Sequence, residues 1–251
     1  MFASKKLRIS KWPYYDSETI SKVQEVLNSG EVNYRTNNNG KLFEKEFSSY
    51  IGLEYGIAHA NGSLALTNAF KSLNLKPGDE VITTPRSFIA TVSAAVLEKL
   101  VPVFADVDLD SGNITAETIE PLISKSTKAI CVVHLAGWPA DMLSIRKLAD
   151  AYRLPIIEDC SQAHGASISS KKIGSFGDIS VWSFCQDKII STGGEGGMVT
   201  TSNKDLYEKM WSFKDHGKSR KKLLEKNNNN EFVWMHDDFG NNFRLTEMQS
   251  V

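Results

Sequence analysis

Three stretches of the sequence combine residue types that do chemistry with a spacing that could bring them together. In DISVWSFCQDKIISTGGEGGMVTT (178–201) a β-branched and aromatic run ends at Ser183 and Phe184, Lys188 follows five residues after Ser183, and a GGEGG turn leads into a second apolar run. A lysine is ordinarily solvated, and a single one is seldom a catalyst. Lys188, however, precedes the pair Ile189–Ile190 between two expected core strands, where desolvation would favour the neutral amine that attacks an aldehyde. GGEGG by itself requires nothing more than a tight turn with positive φ.

In LPIIEDCSQAHG (154–165), Glu158 and Asp159 fall at the C-terminal end of an expected buried strand, with the Gln162 amide three residues on. That edge is where open α/β sheets bind ligands, although a carboxylate there is more often a helix cap or an ion-pair partner. In ANGSLALTNAF (60–70), Asn61, Gly62 and Ser63 precede an expected helix, so unpaired N–H groups and the positive end of the helix dipole would face an anion such as phosphate. Most such glycine-serine pairs serve only as caps.

These residues need a frame, and the periodicity supplies one. From about residue 80, short β-branched runs alternate with amphipathic stretches, the rhythm of βαβ units and a mainly parallel sheet between helices. Strands are expected near 81–84, 102–106, 129–134, 155–159, 179–184 and 197–201, and helices near 64–73, 87–99, 116–123, 141–152 and 204–214. Ahead of these, SETISKVQEVLNSG has helical spacing and closes on Gly30, and a helix near 41–51 ends at Gly52. KSRKKLLEKNNNN (218–230) reads as a mobile surface loop or, alternatively, a basic flap near an anionic substrate. Thr246 and Gln249 have the capping-box form of a beginning helix, yet the sequence stops at Val251, so it reads as truncated there.

Composition narrows the functional class. The 251 residues are 41% hydrophobic and 24% charged, enough for a substantial core. With 29 Lys plus Arg against 30 Asp plus Glu there is no basic excess for nucleic acid or an anionic membrane, and a small-molecule ligand is the better expectation. No run approaches the ~20 apolar residues of a membrane span, and MFASKKLRIS has no apolar stretch after its charges. Cys131, Cys160 and Cys185 lack CxxC spacing and read as reduced, buried thiols of a cytoplasmic protein. His59, His134, His164, His216 and His236 show no HExxH-type spacing, which argues against a metal hydrolase.

Taken together, the chemical segments resemble the DegT/DnrJ/StrS family of sugar aminotransferases, within the fold type I (aspartate aminotransferase) superfamily of pyridoxal-phosphate (PLP) enzymes. The likeness runs from about residue 14 to the end. PGDEVITTP, PVFADVD, HLAGWPADM, IEDCSQAHGA, GSFGDISVWSF, GGEGGMV and GNNFRLTEMQ stand in that family's order. The resemblance implies a three-layer α/β/α sandwich with a mainly parallel mixed sheet. It divides the chain into an N-terminal helical segment (1–30) and a PLP-binding large domain (31–251), without the small C-terminal domain with which family members continue.

The resemblance also assigns roles, residue by residue. Lys188 matches the Schiff-base lysine, Asp159 the carboxylate on the pyridine nitrogen, and Gln162 an amide on the phenolic-oxygen side. Gly62, Ser63 and Ser183 match phosphate contacts, Phe88 the ring stacked on the pyridine, and Asn242 an asparagine offered to the phosphate by the second subunit of a homodimer. His164 and His216, lying in family motifs, are candidates to line the pocket. Trp138 stands where a smaller or polar residue is commoner.

The implied reaction passes an amino group from a donor such as glutamate, through PLP, to a nucleotide-linked keto-sugar for polysaccharide or deoxyamino-sugar synthesis. A related branch that dehydrates its sugar carries histidine at the lysine position, and Lys188 argues against it. The rival from another class is a noncatalytic binding or regulatory remnant.

Overall fold

The structure is a computed structural model that describes residues 11–225 and 234–251. Helix α1 (Ser17–Ser29) starts at Asp16, whose side chain accepts from the Thr19 amide, and stops at Gly30, where φ of 72° favours a residue without a Cβ. Helix α2 (Asn39–Ile51) follows, and then strand β1 (Tyr55–His59).

The alternation continues with α3 (Gly62–Ser72), β2 (Glu80–Thr83), α4 (Ile89–Leu97), β3 (Val101–Phe104), α5 (Ala116–Ile119), β4 (Thr127–Val133), α6 (Met142–Tyr152) and β5 (Ile156–Asp159). A two-stranded ribbon of β6 (Ser167–Ile168) and β7 (Lys171–Lys172) precedes β8 (Ile179–Ser183) and β9 (Gly197–Thr201), and helices α7 (Lys204–Lys214) and α8 (Arg220–Glu225) follow.

The main sheet has seven strands in the order β1-β9-β8-β5-β4-β2-β3. Strands β3, β2, β4, β5 and β8 pair in parallel, and β9 runs antiparallel to both of its neighbours, β8 and β1. Because both faces are covered, the central strands are apolar at nearly every position, and successive side chains serve opposite layers. On β5, Ile156 joins one core with Met142 and Ile145 of α6, whereas Ile157 joins the other with Leu66 and Phe70 of α3 and Ala94 of α4. Trp182 and Val181 divide in the same way on β8. The expected three-layer sandwich with a mainly parallel mixed sheet is the fold observed.

The differences from the expected elements have local causes. Strand β1 has a glycine and only one β-branched residue in five, and it gains its place by pairing with β9. The helix expected to 123 gives way after Ile119 to a 3₁₀ turn, Glu120–Leu122, containing Pro121. Within the expected loop at 218–230, Arg220–Glu225 is helical, and the four asparagines lie outside the described residues.

The capping box at Thr246 does not form. Its hydroxyl meets the Gln249 side chain, and the segment makes one 3₁₀ turn, Glu247–Gln249. Glu247 is buried instead against the start of α2, accepting from the Asn39 amide at 2.8 Å. Among the described residues no helix is long and apolar enough to cross a membrane.

Candidate functional site

At the C-terminal edge of the sheet, β5 and β8 end beside the N-termini of α3 and α4. Strand alternation decides what each acidic residue of β5 does. Glu158 shares the orientation of Ile156 and turns toward the α6 layer, where it is fully buried and accepts from the amides of Gly174, Phe176 and Gly177 and from His134 Nε2 at 3.0 Å. Burial pushes its carboxyl up, but the His134 contact and the amides outweigh burial and hold it below the usual glutamate range. Glu158 is therefore a clamp on the 174–177 turn.

Asp159 turns to the opposite layer. Its Oδ2 accepts from Thr91 Oγ1 at 2.8 Å and its Oδ1 from the Ser161 amide at 3.2 Å, while the residue remains 5% exposed. This carboxylate and Lys188 line one cavity of about 690 Å³. Gly62, Ser63, Phe88, Gln162 and Ser183 line it as well, so seven of the eight nominated residues share it. Asn242 does not: it is exposed and lies outside the cavity walls.

The phosphate-type end is set by close packing. Asn61 caps α3 by accepting from the Leu64 amide at 2.9 Å, which leaves the Gly62 and Ser63 amides as first-turn donors without helical acceptors. A Cβ on Gly62 would stand 2.8 Å from the Ser183 Cβ, so glycine lets the turn approach the Ser183 hydroxyl. The amides, two hydroxyls and the helix dipole form a cradle of the right chemistry for a phosphate monoester. Phe88, 68% exposed, stands at the start of α4 with its ring free to cover a flat ligand. Gln162 Oε1 is held by the Ala136 amide at 2.7 Å. A phosphate cradle, a buried carboxylate, an exposed ring and an amine in one cavity fit PLP.

Lys188 reaches its position differently from the expectation. Ile189 and Ile190 are 56% and 41% exposed, because the chain leaving β8 runs across the surface before returning as β9. They do not bury the lysine. Its Nζ lies 3.5 Å from Asp187 Oδ2, and the loop is tied by Trp12 Nε1 donating to the Lys188 carbonyl at 3.0 Å and by Tyr15 at Ser191. Among the described residues lining the cavity, Lys188 is the one cation, faced by the carboxylates of Asp159, Asp187 and Glu195.

Several expectations about other residues are corrected. Cys185 is not a buried filler but lines the cavity, whereas Cys131 and Cys160 are fully buried, and all three are free thiols. Neither His164 nor His216 lines the cavity. His164 lies among Phe47, Trp182 and Phe184, where burial, and secondarily the Lys188 charge, lowers its pKa to about 4. The basic residues Lys218, Arg220 and Lys221 face a different cavity of about 990 Å³ between α3, α7 and 237–241. Ligand atoms of His134, Glu158 and Cys160 lie within 4.8 Å of one another, but the bonds already made by His134 and Glu158 account for their grouping.

Thr91 was not singled out from the sequence. A threonine in a helix's first turn is unremarkable until β5 brings Asp159 to it across 68 positions.

Comparison with known proteins settles the ancestry. Residues 13–251 match the DegT/DnrJ/EryC1/StrS aminotransferase family. The chain belongs to that family. It is 38% identical over 234 residues to a UDP-N-acetyl-3-dehydro-alpha-D-glucosamine 3-aminotransferase of Acidithiobacillus ferrooxidans, a match covering 93% of this chain and 60% of that protein.

Among solved structures, the aminotransferase from Psychrobacter cryohalolentis superposes with a TM-score of 0.94 at 49% identity, covering 96% of this chain and 61% of its own. The Bacillus subtilis protein ntda, with bound cofactor PMP, superposes at 0.82 with 30% identity, covering 98% of this chain and 55% of that one. This member of the DegT/DnrJ/EryC1/StrS family thus shares the aminotransferase fold and spans about 60% of the length of the first of these relatives.

Proposed function

We propose that this chain is the PLP-binding large domain of a sugar aminotransferase that moves an amino group from an amino-acid donor, glutamate by resemblance, to a nucleotide-linked keto-sugar in cell-surface polysaccharide or deoxyamino-sugar synthesis. The observation that carries the reading is the convergence of Lys188, Asp159, Phe88 and the α3 N-terminus on one cavity. Family membership and the PMP-bound relative support it.

Bound PLP supplies an electron sink that stabilises negative charge on the carbon beside the transferred nitrogen. Lys188 Nζ would be the amine that holds the cofactor and the base that moves a proton at the carbon beside the transferred nitrogen. Asp159 keeps the ring nitrogen protonated by charge pairing in a poorly hydrated position. Phe88 covers one ring face. Gln162 holds the phenolic-oxygen side, and Gly62, Ser63 and Ser183 bind the phosphate.

Asn242 acts on the partner's cofactor in a homodimer, which agrees with its exposed position outside its own cavity. A cytoplasmic location follows from the soluble substrates this chemistry uses. The division into an N-terminal segment (1–30) and the large domain (31–251) belongs to the same reading.

Purified protein mixed with PLP should develop a visible absorption band that Lys188→Ala abolishes, and borohydride reduction should leave a pyridoxyl adduct at position 188. Adding glutamate should then convert the spectrum to the pyridoxamine form. Absence of any adduct at 188 refutes the reading; a stable adduct with no response to glutamate identifies a PLP-binding chain that does not turn over.

A further inference from the structure

Asp159 is held by more than its own strand. Thr91, 2% exposed, donates from Oγ1 to Asp159 Oδ2 at 2.8 Å, and Ser87 Oγ stands 2.9 Å from the same threonine oxygen. A threonine hydroxyl has one proton. With that proton committed to the carboxylate, the Ser87 hydroxyl must be the donor in its contact with Thr91. The chain therefore runs in one direction, Ser87 to Thr91 to Asp159.

The Ser161 amide donates to the other carboxylate oxygen at 3.2 Å. A carboxylate has about four acceptor positions, so each oxygen retains one, and its rotation is fixed from both sides. Ser87 and Thr91 line the same cavity as Asp159. Both lie about the first turn of α4, whose N-cap is Phe88, so one end of one helix carries the ring-covering residue and the support of the carboxylate.

We infer that Thr91 is a positioning residue for the cofactor: its hydroxyl fixes the Asp159 carboxylate in the orientation that meets the ring nitrogen, and Ser87 orients Thr91. The inference rests on the role given to Asp159 above. A side chain that merely filled space or satisfied a buried group would act on every ligand of the cavity alike. One acting through Asp159 affects only ligands that offer a ring nitrogen.

The test is equilibrium dialysis of the full chain against PLP and against 1-deaza-PLP, in which the ring nitrogen is replaced by C–H. Thr91→Val should weaken PLP about tenfold, the loss of one hydrogen bond to a charged group. Thr91→Ser should stay within about twofold of the starting protein. Against 1-deaza-PLP, or in an Asp159→Asn background, Thr91→Val should cause no further loss.

Ser87→Ala provides a milder variant should Thr91→Val fail to fold, with an expected loss of about threefold on PLP alone. Equal losses on both ligands, or no loss on PLP, overturn the inference while leaving the proposed function standing. Failure of the unsubstituted protein to bind PLP overturns both.

Discussion

The two neighbouring carboxylates of β5 should answer very differently to the same change. Glu158 Oε1 serves the amides of Phe176 and Gly177, and Oε2 serves Gly174 and His134 Nε2. In Glu158→Gln one oxygen becomes an NH₂ group, so whichever way the amide turns, one pair of donors meets another donor. His134 cannot rescue its side by changing tautomer, because Nδ1 already accepts from the Ala140 amide at 3.2 Å.

Two buried groups left unsatisfied cost about 1–3 kcal/mol each, and relief from burying a charge offsets part of that. The expected loss is about 3 kcal/mol, read as a lowered urea midpoint with an unchanged m-value. Asp159→Asn, which leaves the Thr91 hydroxyl an oxygen to donate to, should cost about 1 kcal/mol of stability and most of the PLP affinity. The folded carboxyl of Glu158 lies below its unfolded value, so its contribution is present above about pH 4.5 and lost as pH falls through the folded value. Glu158→Gln should flatten that acid limb. A loss under about 1 kcal/mol, or a PLP defect as deep as that of Asp159→Asn, would refute the division of labour between the two residues.

Two further outcomes follow from the same geometry. His59 is fully buried and bonded to the Ile57 carbonyl and to Asn68; burial first, then the Lys214 charge, lowers its pKa to about 3. Its neutral form is favoured by folding, so stability should fall as pH drops from about 6.5 toward 3, and denaturation of His59→Gln across that range should show a slope shallower by about 1.4 kcal/mol per pH unit. At Gly197 an added Cβ would stand 2.4 Å from the Asn61 carbonyl oxygen, a backbone atom at the start of α3. Gly197→Ala should therefore lower stability by about 2 kcal/mol and weaken PLP binding together, and a variant with unchanged thermal unfolding would contradict this close approach of β9 to the start of α3.

The sheet's interior was legible because buried parallel strands announce themselves as apolar runs, and KAICVV and PIIED do so in turn, whereas the equally apolar VPVF is the half-exposed edge strand β3. Strand β1 was not, because Tyr-Gly-Ile-Ala-His has little β-propensity of its own and is recruited by β9. In the site, Lys188 and Asp159 could be nominated from motif order. The reason first given for the lysine's environment failed, since an Ile-Ile pair reads the same whether it enters a core or crosses an exposed loop. Which of Glu158 and Asp159 faces the cavity was available in principle from the two-residue period of a strand. Thr91 was out of reach, because its significance is a contact made across 68 positions.

The loop bearing Lys188 is fastened from distant parts of the chain, by Trp12 and Tyr15 on one side and by the Gln249 amide at the Glu195 carbonyl on the other. Each fastening closes a long stretch of polypeptide, 176 residues in the case of Trp12, so its entropic cost is repaid only after the intervening sheet has assembled. The Lys188 amine, to which the proposed function gives the chemistry, is thus set in place late in folding. Binding competence, followed during refolding, should lag behind the recovery of secondary structure.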